Sequence, residues 1–308
     1  MQSAALYIPP QSVRGLLAAK QLFGEAMRFL TALLAFWTGL AATSAAQVGV
    51  PTPDAIGLRE AVTPVMESVV EFHSLVMYII TAIVVLVTIL LIYVMVRYNR
   101  RANPTPSKNS HNTLIEIIWT ALPVLILVVI AIPSFRLLYL LDVVPEADLT
   151  IKATGYQWYW GYEYADLDIG EFYANMISDE EIDAEAGQYR LLSTDYPMVV
   201  PVDANVRLNV TAADVIHAWA MPNFGVKIDA IPGRLNETWF RAEQPGVYYG
   251  QCSEICGLRH AYMPIEIHVV PQDVFDAWAA TAAEDIDAGR TMITEYQAGV
   301  RETRMASR

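Results

Sequence analysis

Between Leu75 and Val96 the chain runs for 22 residues without a formal charge, and between Leu114 and Leu141 for 28 residues with only Glu116 and Arg136. At about 1.5 Å of rise per residue, each run is long enough to cross a hydrocarbon layer of roughly 30 Å. Lipid offers no partner to backbone N–H and C=O groups, so each run must be a helix. Pro123 and Pro133 lie inside the second run and are the expected kink points. The connector carries Arg97, Arg100, Arg101 and Lys108 and no acid, which places it in the cytoplasm by the positive-inside rule. Both ends of this hairpin therefore face outward.

The apolar fraction of 54% is too high for an ordinary soluble protein, in keeping with the spans. Met1 to Ala46 has the layout of a signal segment. Arg14, Lys20 and Arg28 precede the apolar stretch Phe29 to Leu40, and the small-residue run Ala41 to Ala46 follows. Ser44 and Ala46 suit the −3 and −1 positions of a cleavage site, leaving Gln47 first; an uncleaved membrane helix is the alternative, disfavoured by its short apolar core. The expected organisation is 1–46 signal segment, 47–141 transmembrane hairpin, 142–271 outer domain, and 272–308 C-terminal helix and tail.

Charge is unevenly distributed. From Asp142 onward there are 27 Asp+Glu against 11 Lys+Arg, a local charge near −16, whereas the remainder has 6 acids and 9 bases, net +3. An outer domain this acidic repels nucleic acid and attracts a basic protein partner. From Leu149 to Val270 short runs alternate with Gly, Pro, Asn and Asp. Strands are expected at Leu149–Tyr156, Trp158–Tyr164, Tyr189–Leu192, Asn205–Thr211, Thr238–Arg241, Val247–Gly250 and Ile265–Val270. This spacing reads as an all-β sandwich or barrel. Ser178 to Gly187 is an expected solvated loop, Val274 to Ala288 an outer helix, and the last 20 residues a tail.

The chemistry concentrates in Cys252-Ser253-Glu254-Ile255-Cys256-Gly257-Leu258-Arg259-His260-Ala261-Tyr262-Met263, which holds the chain's 2 cysteines. Thiolates, an imidazole and a thioether are soft ligands that select copper over magnesium or calcium. His217, upstream, supplies a second nitrogen. Two sulfurs, two imidazoles and one Met exceed a mononuclear plan but suit two coppers sharing both thiolates. Cys252 and Cys256 would bridge, with His217 and Met263 on one ion, His260 on the other, and the carbonyl of Glu254 in the remaining position. Sharing one electron across two ions lowers the geometric change on oxidation. Tetrahedral zinc on two Cys and two His is the rival, but the spacing is not a finger pattern and Met263 would have no role. A disulfide between cysteines so close in sequence would close only a small ring and add little loop entropy.

These residues carry a family resemblance. Gly250 to Gly257, then His260 and Met263, resembles the dinuclear copper loop of the cytochrome c oxidase subunit 2 family. The resemblance extends over Gln157-Trp158-Tyr159-Trp160-Gly161-Tyr162-Glu163-Tyr164, His217-Ala218-Trp219 and Asp229-Ala230-Ile231-Pro232-Gly233-Arg234-Leu235-Asn236. With the hairpin it covers roughly Val62 to Val270, leaving 1–46 and 271–308 outside. It implies a membrane α-helical hairpin followed by an all-β cupredoxin sandwich, in the inner membrane with the copper domain in the periplasm. It implies that Trp158 receives electrons from cytochrome c, that Glu163, Asp195 and Asp214 are acidic docking positions, and that Glu254 contacts a magnesium or manganese ion shared with subunit 1. It also implies proton uptake at Glu116, although Thr113-Leu114-Ile115-Glu116 is equally a helix capping box. Arg136 is expected to snorkel or to pair with a partner subunit, and His73, His111 and His268 have no ligand-like company. The expected function is electron acceptance for a proton-pumping oxidase whose oxygen chemistry lies in subunit 1. Nitrous oxide reductases share the copper loop but do not account for the hairpin, quinol oxidases need no thiolates, and a copper carrier wants exchangeable ligands.

Overall fold

The computed structural model describes residues 49–52 and 55–306; the expected signal segment lies outside them. Helix α1 (Pro64–Arg97) begins well before the uncharged run. Its start is set by Pro64, whose fixed φ suits a first helical position, and by the Thr63 hydroxyl, which accepts from the Met66 N–H at 3.0 Å. Helix α2 (Thr113–Asp142) runs through both Pro123 and Pro133. Its cap falls one residue earlier than the expected box. The Asn112 side chain accepts from Ile115 N at 3.2 Å, and Glu116 Oε1 accepts from Asn112 N at 3.2 Å. Asn is the better N-cap, and Thr113 is already helical. Both helices are long and apolar enough to cross a membrane, and their apolar stretches are bare of protein cover, as suits lipid and partner helices.

The outer domain has ten strands: β1 (Leu149–Tyr156), β2 (Tyr159–Tyr164), β3 (Ile169–Ala174), β4 (Met198–Pro201), β5 (Val206–Ala212), β6 (His217–Met221), β7 (Val226–Ala230), β8 (Asn236–Phe240), β9 (Gly246–Cys252) and β10 (Pro264–Val270). They form two five-stranded sheets, ordered β3-β2-β1-β5-β8 and β4-β10-β9-β6-β7. In β5, buried Val206, Leu208 and Val210 alternate with half-buried Arg207 and Asn209, the signature of a strand with one face in a core. Trp160, Tyr162, Trp219 and Phe240 fill the space between the sheets. Four strands escape the sequence reading. Met198–Pro201 is buried at every position and shows no alternation, whereas β3, β6 and β7 each border a short 3-10 turn. The expected strand Tyr189–Leu192 is instead a tight turn, with Leu192 N and Ser193 N both donating to Tyr189 O.

Sheet edges β3 and β4 are closed by helix α3 (Gln272–Glu284), whose Trp278 lies 5.3 Å from the Tyr164 ring. The expected tail is a second helix, α4 (Ile286–Ala306). Ile286, Ile293 and Gln297 recur at helical spacing, the last two buried, which is why this segment is ordered. Both ends of the hairpin are tied to the sandwich. Thr63 Oγ1 donates to Phe224 O at 2.8 Å, Val62 bonds through its backbone to Asn223 and Glu243, and Trp239 Nε1 donates to Leu140 O at 3.2 Å.

Candidate metal centre

Three strand ends converge at one end of the sandwich. β6 begins at His217, β9 ends at Cys252 and β10 begins immediately after Met263. Antiparallel pairing sets Trp219 opposite Cys252, which brings His217 beside that thiol. On the facing sheet stands Gly155, where an added Cβ would lie 2.8 Å from His217 Cδ2. Only glycine leaves the imidazole its place.

The cysteines are free, and their sulfurs lie 3.8 Å apart, well beyond the roughly 2.05 Å of a disulfide. Around them are His217 Nδ1 at 3.9 Å from Cys252 Sγ and Glu254 O at 3.3 Å from the same sulfur. His260 Nδ1 and Met263 Sδ both lie 3.5 Å from Cys256 Sγ. His217, Cys252, Cys256 and Met263 are buried, and His260 is half-buried. His217, Cys252 and Cys256 form a group with ligand atoms all within 4.8 Å of one another. Two bonds of about 2.3 Å span more than the gap between the sulfurs, so one ion can reach both.

Electrostatics call for a cation here. Burial pushes both thiols up, but hydrogen bonds, chiefly with His217, bring Cys252 down to about 7. Cys256 is raised to about 12 by burial and by the charge of its neighbour. Two thiolates side by side are therefore disfavoured unless positive charge lies between them. Buried thiols, imidazoles and a thioether form the donor chemistry that copper prefers.

Asp214, expected as a docking acid, sits behind the nest. Its Oδ1 holds His217 Nε2 at 2.9 Å, leaving Nδ1 aimed at the sulfurs. Burial works against ionisation of Asp214, but His217 and the N–H groups of Val215 and Gln157 hold its carboxyl below the usual range. His217 is raised in turn: burial lowers it, and Cys252 and Asp214 outweigh that. Trp158 is half-buried, and its indole N–H donates to Cys256 O at 3.3 Å. Gln157 Nε2 donates to the same carbonyl at 2.8 Å. Sequence reasoning gave Gln157 no role of its own and missed the orienting contact of Asp214. An acid three residues from a ligand His was the available signal.

The remaining expected residues lie apart. Glu163 on β2 pairs with Lys152 at 2.9 Å. Asp195 accepts from Asn175 N, Asn175 Nδ2 and Tyr196 N, and burial raises its carboxyl above the usual range despite those bonds. Glu116 stands at the opposite end of α2, about 39 Å of helix away, and pairs with His111 at 2.7 Å. His268 likewise has a partner, bonding Glu266 at 2.8 Å in a buried pair on β10, just beyond the cysteine loop.

Two family profiles match: cytochrome c oxidase subunit II, periplasmic domain, over residues 149–270, and cytochrome c oxidase subunit II, transmembrane domain, over residues 51–137. The probable cytochrome c oxidase subunit 2 of Rickettsia bellii (strain RML369-C) is 53% identical over 231 residues, 75% of this chain and 85% of its own length. Cytochrome c oxidase subunit 2 of Cereibacter sphaeroides is 43% identical over 283 residues, covering 83% and 93% respectively. The crystal structure of the periplasmic domain of subunit II of the Bradyrhizobium japonicum cytochrome oxidase is 58% identical, covers 46% of this chain and 98% of that one, and superposes with a TM-score of 0.43.

Proposed function

Because the chain belongs to the cytochrome c oxidase subunit II family, we propose that it takes electrons from cytochrome c at a two-copper centre outside the membrane and hands them to subunit 1. The observation that carries this reading is the set of four donor groups gathered around two free sulfurs 3.8 Å apart. His217, Cys252, Glu254 through its carbonyl, Cys256, His260 and Met263 would hold the metal. Copper bound there supplies one-electron storage with little change of geometry.

The protein's own groups do the rest. The half-buried Trp158 indole offers the donor haem a π-face one hydrogen bond from the Cys256 backbone. Acids on the sandwich steer a basic donor through their summed field, even though Glu163, Asp195 and Asp214 each have local partners. Ile255 and Leu258, 79% and 91% exposed on the cysteine loop, fit a surface covered by the partner subunit. Glu254 is itself exposed, so its carboxylate is available to a magnesium or manganese ion completed by that partner. The arginine-rich connector and outward hairpin ends support an inner-membrane protein with a periplasmic copper domain. Glu116 would pass protons inward from the cytoplasmic side as well as capping α2.

The test of the electron route is Trp158→Phe in the purified oxidase. With copper content unchanged, oxidation of ferrous cytochrome c should fall at least about tenfold, roughly 1.4 kcal/mol of activation free energy. Full turnover in that variant would refute the route.

A further inference from the structure

Gln157 is fastened at two points that no other residue joins among the described hydrogen bonds. Its backbone N–H donates to Asp214 Oδ2 at 2.7 Å, while Asp214 Oδ1 holds His217 Nε2 at 2.9 Å. Its side-chain amide reaches the other half of the nest, donating to Cys256 O at 2.8 Å. The same carbonyl takes the Trp158 indole at the longer distance of 3.3 Å. The cysteine loop lies flat on this pair at Gly257, where φ is +117° and an added Cβ would come within 3.2 Å of Gln157 Nε2 and 3.3 Å of Trp158 Cζ2. Trp158 is thus held by its predecessor as much as by its own single hydrogen bond.

We propose that Gln157 is a positioning residue for electron transfer, a two-armed clamp that fixes the Trp158 indole on the Cys256 carbonyl and couples that carbonyl to the Asp214–His217 side of the nest. This inference rests on the electron route proposed above. No bond is made or broken at Gln157; one electron leaves the ferrous donor, which becomes ferric, and the path indole N–H to carbonyl to cysteine is kept short. The role needs a donor at the side-chain end. A neutral amide supplies it, an apolar isostere removes it, and a carboxylate sets an acceptor against the carbonyl.

The test uses the purified oxidase complex carrying Gln157→Leu or Gln157→Glu, beside Trp158→Phe. Copper per complex, the copper hyperfine pattern, and the steady-state KM and kcat for ferrous cytochrome c are measured for each. With Gln157→Leu, electron uptake at saturating donor should slow about three- to tenfold, the effect of one partly exposed hydrogen bond, with KM and copper content as in the parent. With Gln157→Glu the loss should be at least as large, because a carboxylate sets an acceptor against Cys256 O. Parental rates in both Gln157 variants would overturn the assignment. So would a loss that simply follows copper content, or a Glu variant that keeps the parental rate while the Leu variant slows. If only the Gln157 variants run at the parental rate, the electron route stands and this assignment falls. If Trp158→Phe does so as well, the route itself falls.

Discussion

Asp214 shows how much work one carboxylate does here: it orients His217, receives Gln157 N–H and ends the turn at Val215. Asp214→Ala should leave the sandwich folded and weaken copper affinity by about 10- to 100-fold, measured by competition with a graded chelator. Copper uptake by the metal-free protein should also depend on pH in two regimes. Between the Cys252 value of about 7 and the Cys256 value of about 12, one thiol proton is displaced per binding event, so affinity should rise about tenfold per pH unit. Below pH 7 the Cys252 proton is displaced as well, and the raised His217 imidazole adds its own, so the slope should at least double; isothermal titration in buffers of different ionisation enthalpy counts them. The donor groups that the structure gathers could be read from sequence because soft-metal chemistry admits few atom types. The orienting role of Asp214 could not, since a carboxylate that holds an imidazole and one that faces a partner have the same letter.

Strand β1 matters to the site through the absence of a side chain. Gly155→Ala keeps an extended backbone but sets a methyl group 2.8 Å from His217 Cδ2, so the ring must turn. Copper content should fall while the unfolding midpoint of the domain moves little, a split that circular dichroism and metal analysis resolve. Helix α3 acts differently, as a lid on the open β3/β4 edge. Trp278→Ala removes a side chain 2% exposed and should cost about 3–5 kcal/mol in denaturant unfolding, with copper ligation intact until the fold fails. Strands with one wet face, such as β5, show in the sequence as alternation. β4 does not, because both of its faces are covered, and α4 looked like a tail because its buried positions are spaced among polar ones.

Across the molecule, charge and anchoring govern how the pieces serve one another. The hairpin is bonded to the sandwich at Thr63, Val62 and Leu140, so the copper end is held at a defined place relative to the membrane helices. With a local charge near −16 on the outer part of the sequence, the second-order rate with cytochrome c should fall steeply with ionic strength, as screening over about 10 Å at 0.1 M removes long-range attraction. Glu116→Gln separates capping from proton transfer, because the amide oxygen can still accept from Asn112 N. Proton uptake measured by stopped flow should slow while helix content is unchanged; an unaffected rate would leave Glu116 with its capping role alone. The hairpin was evident from hydropathy, whereas the bonds that tie it to the sandwich join segments far apart in sequence and leave no local pattern. All of these expectations depend on what the two sulfurs hold. Copper analysis with electron paramagnetic resonance on the assembled oxidase should give two coppers at this site and one unpaired electron split equally by both nuclei. Zinc, a single copper nucleus or an oxidised cysteine pair would contradict the account.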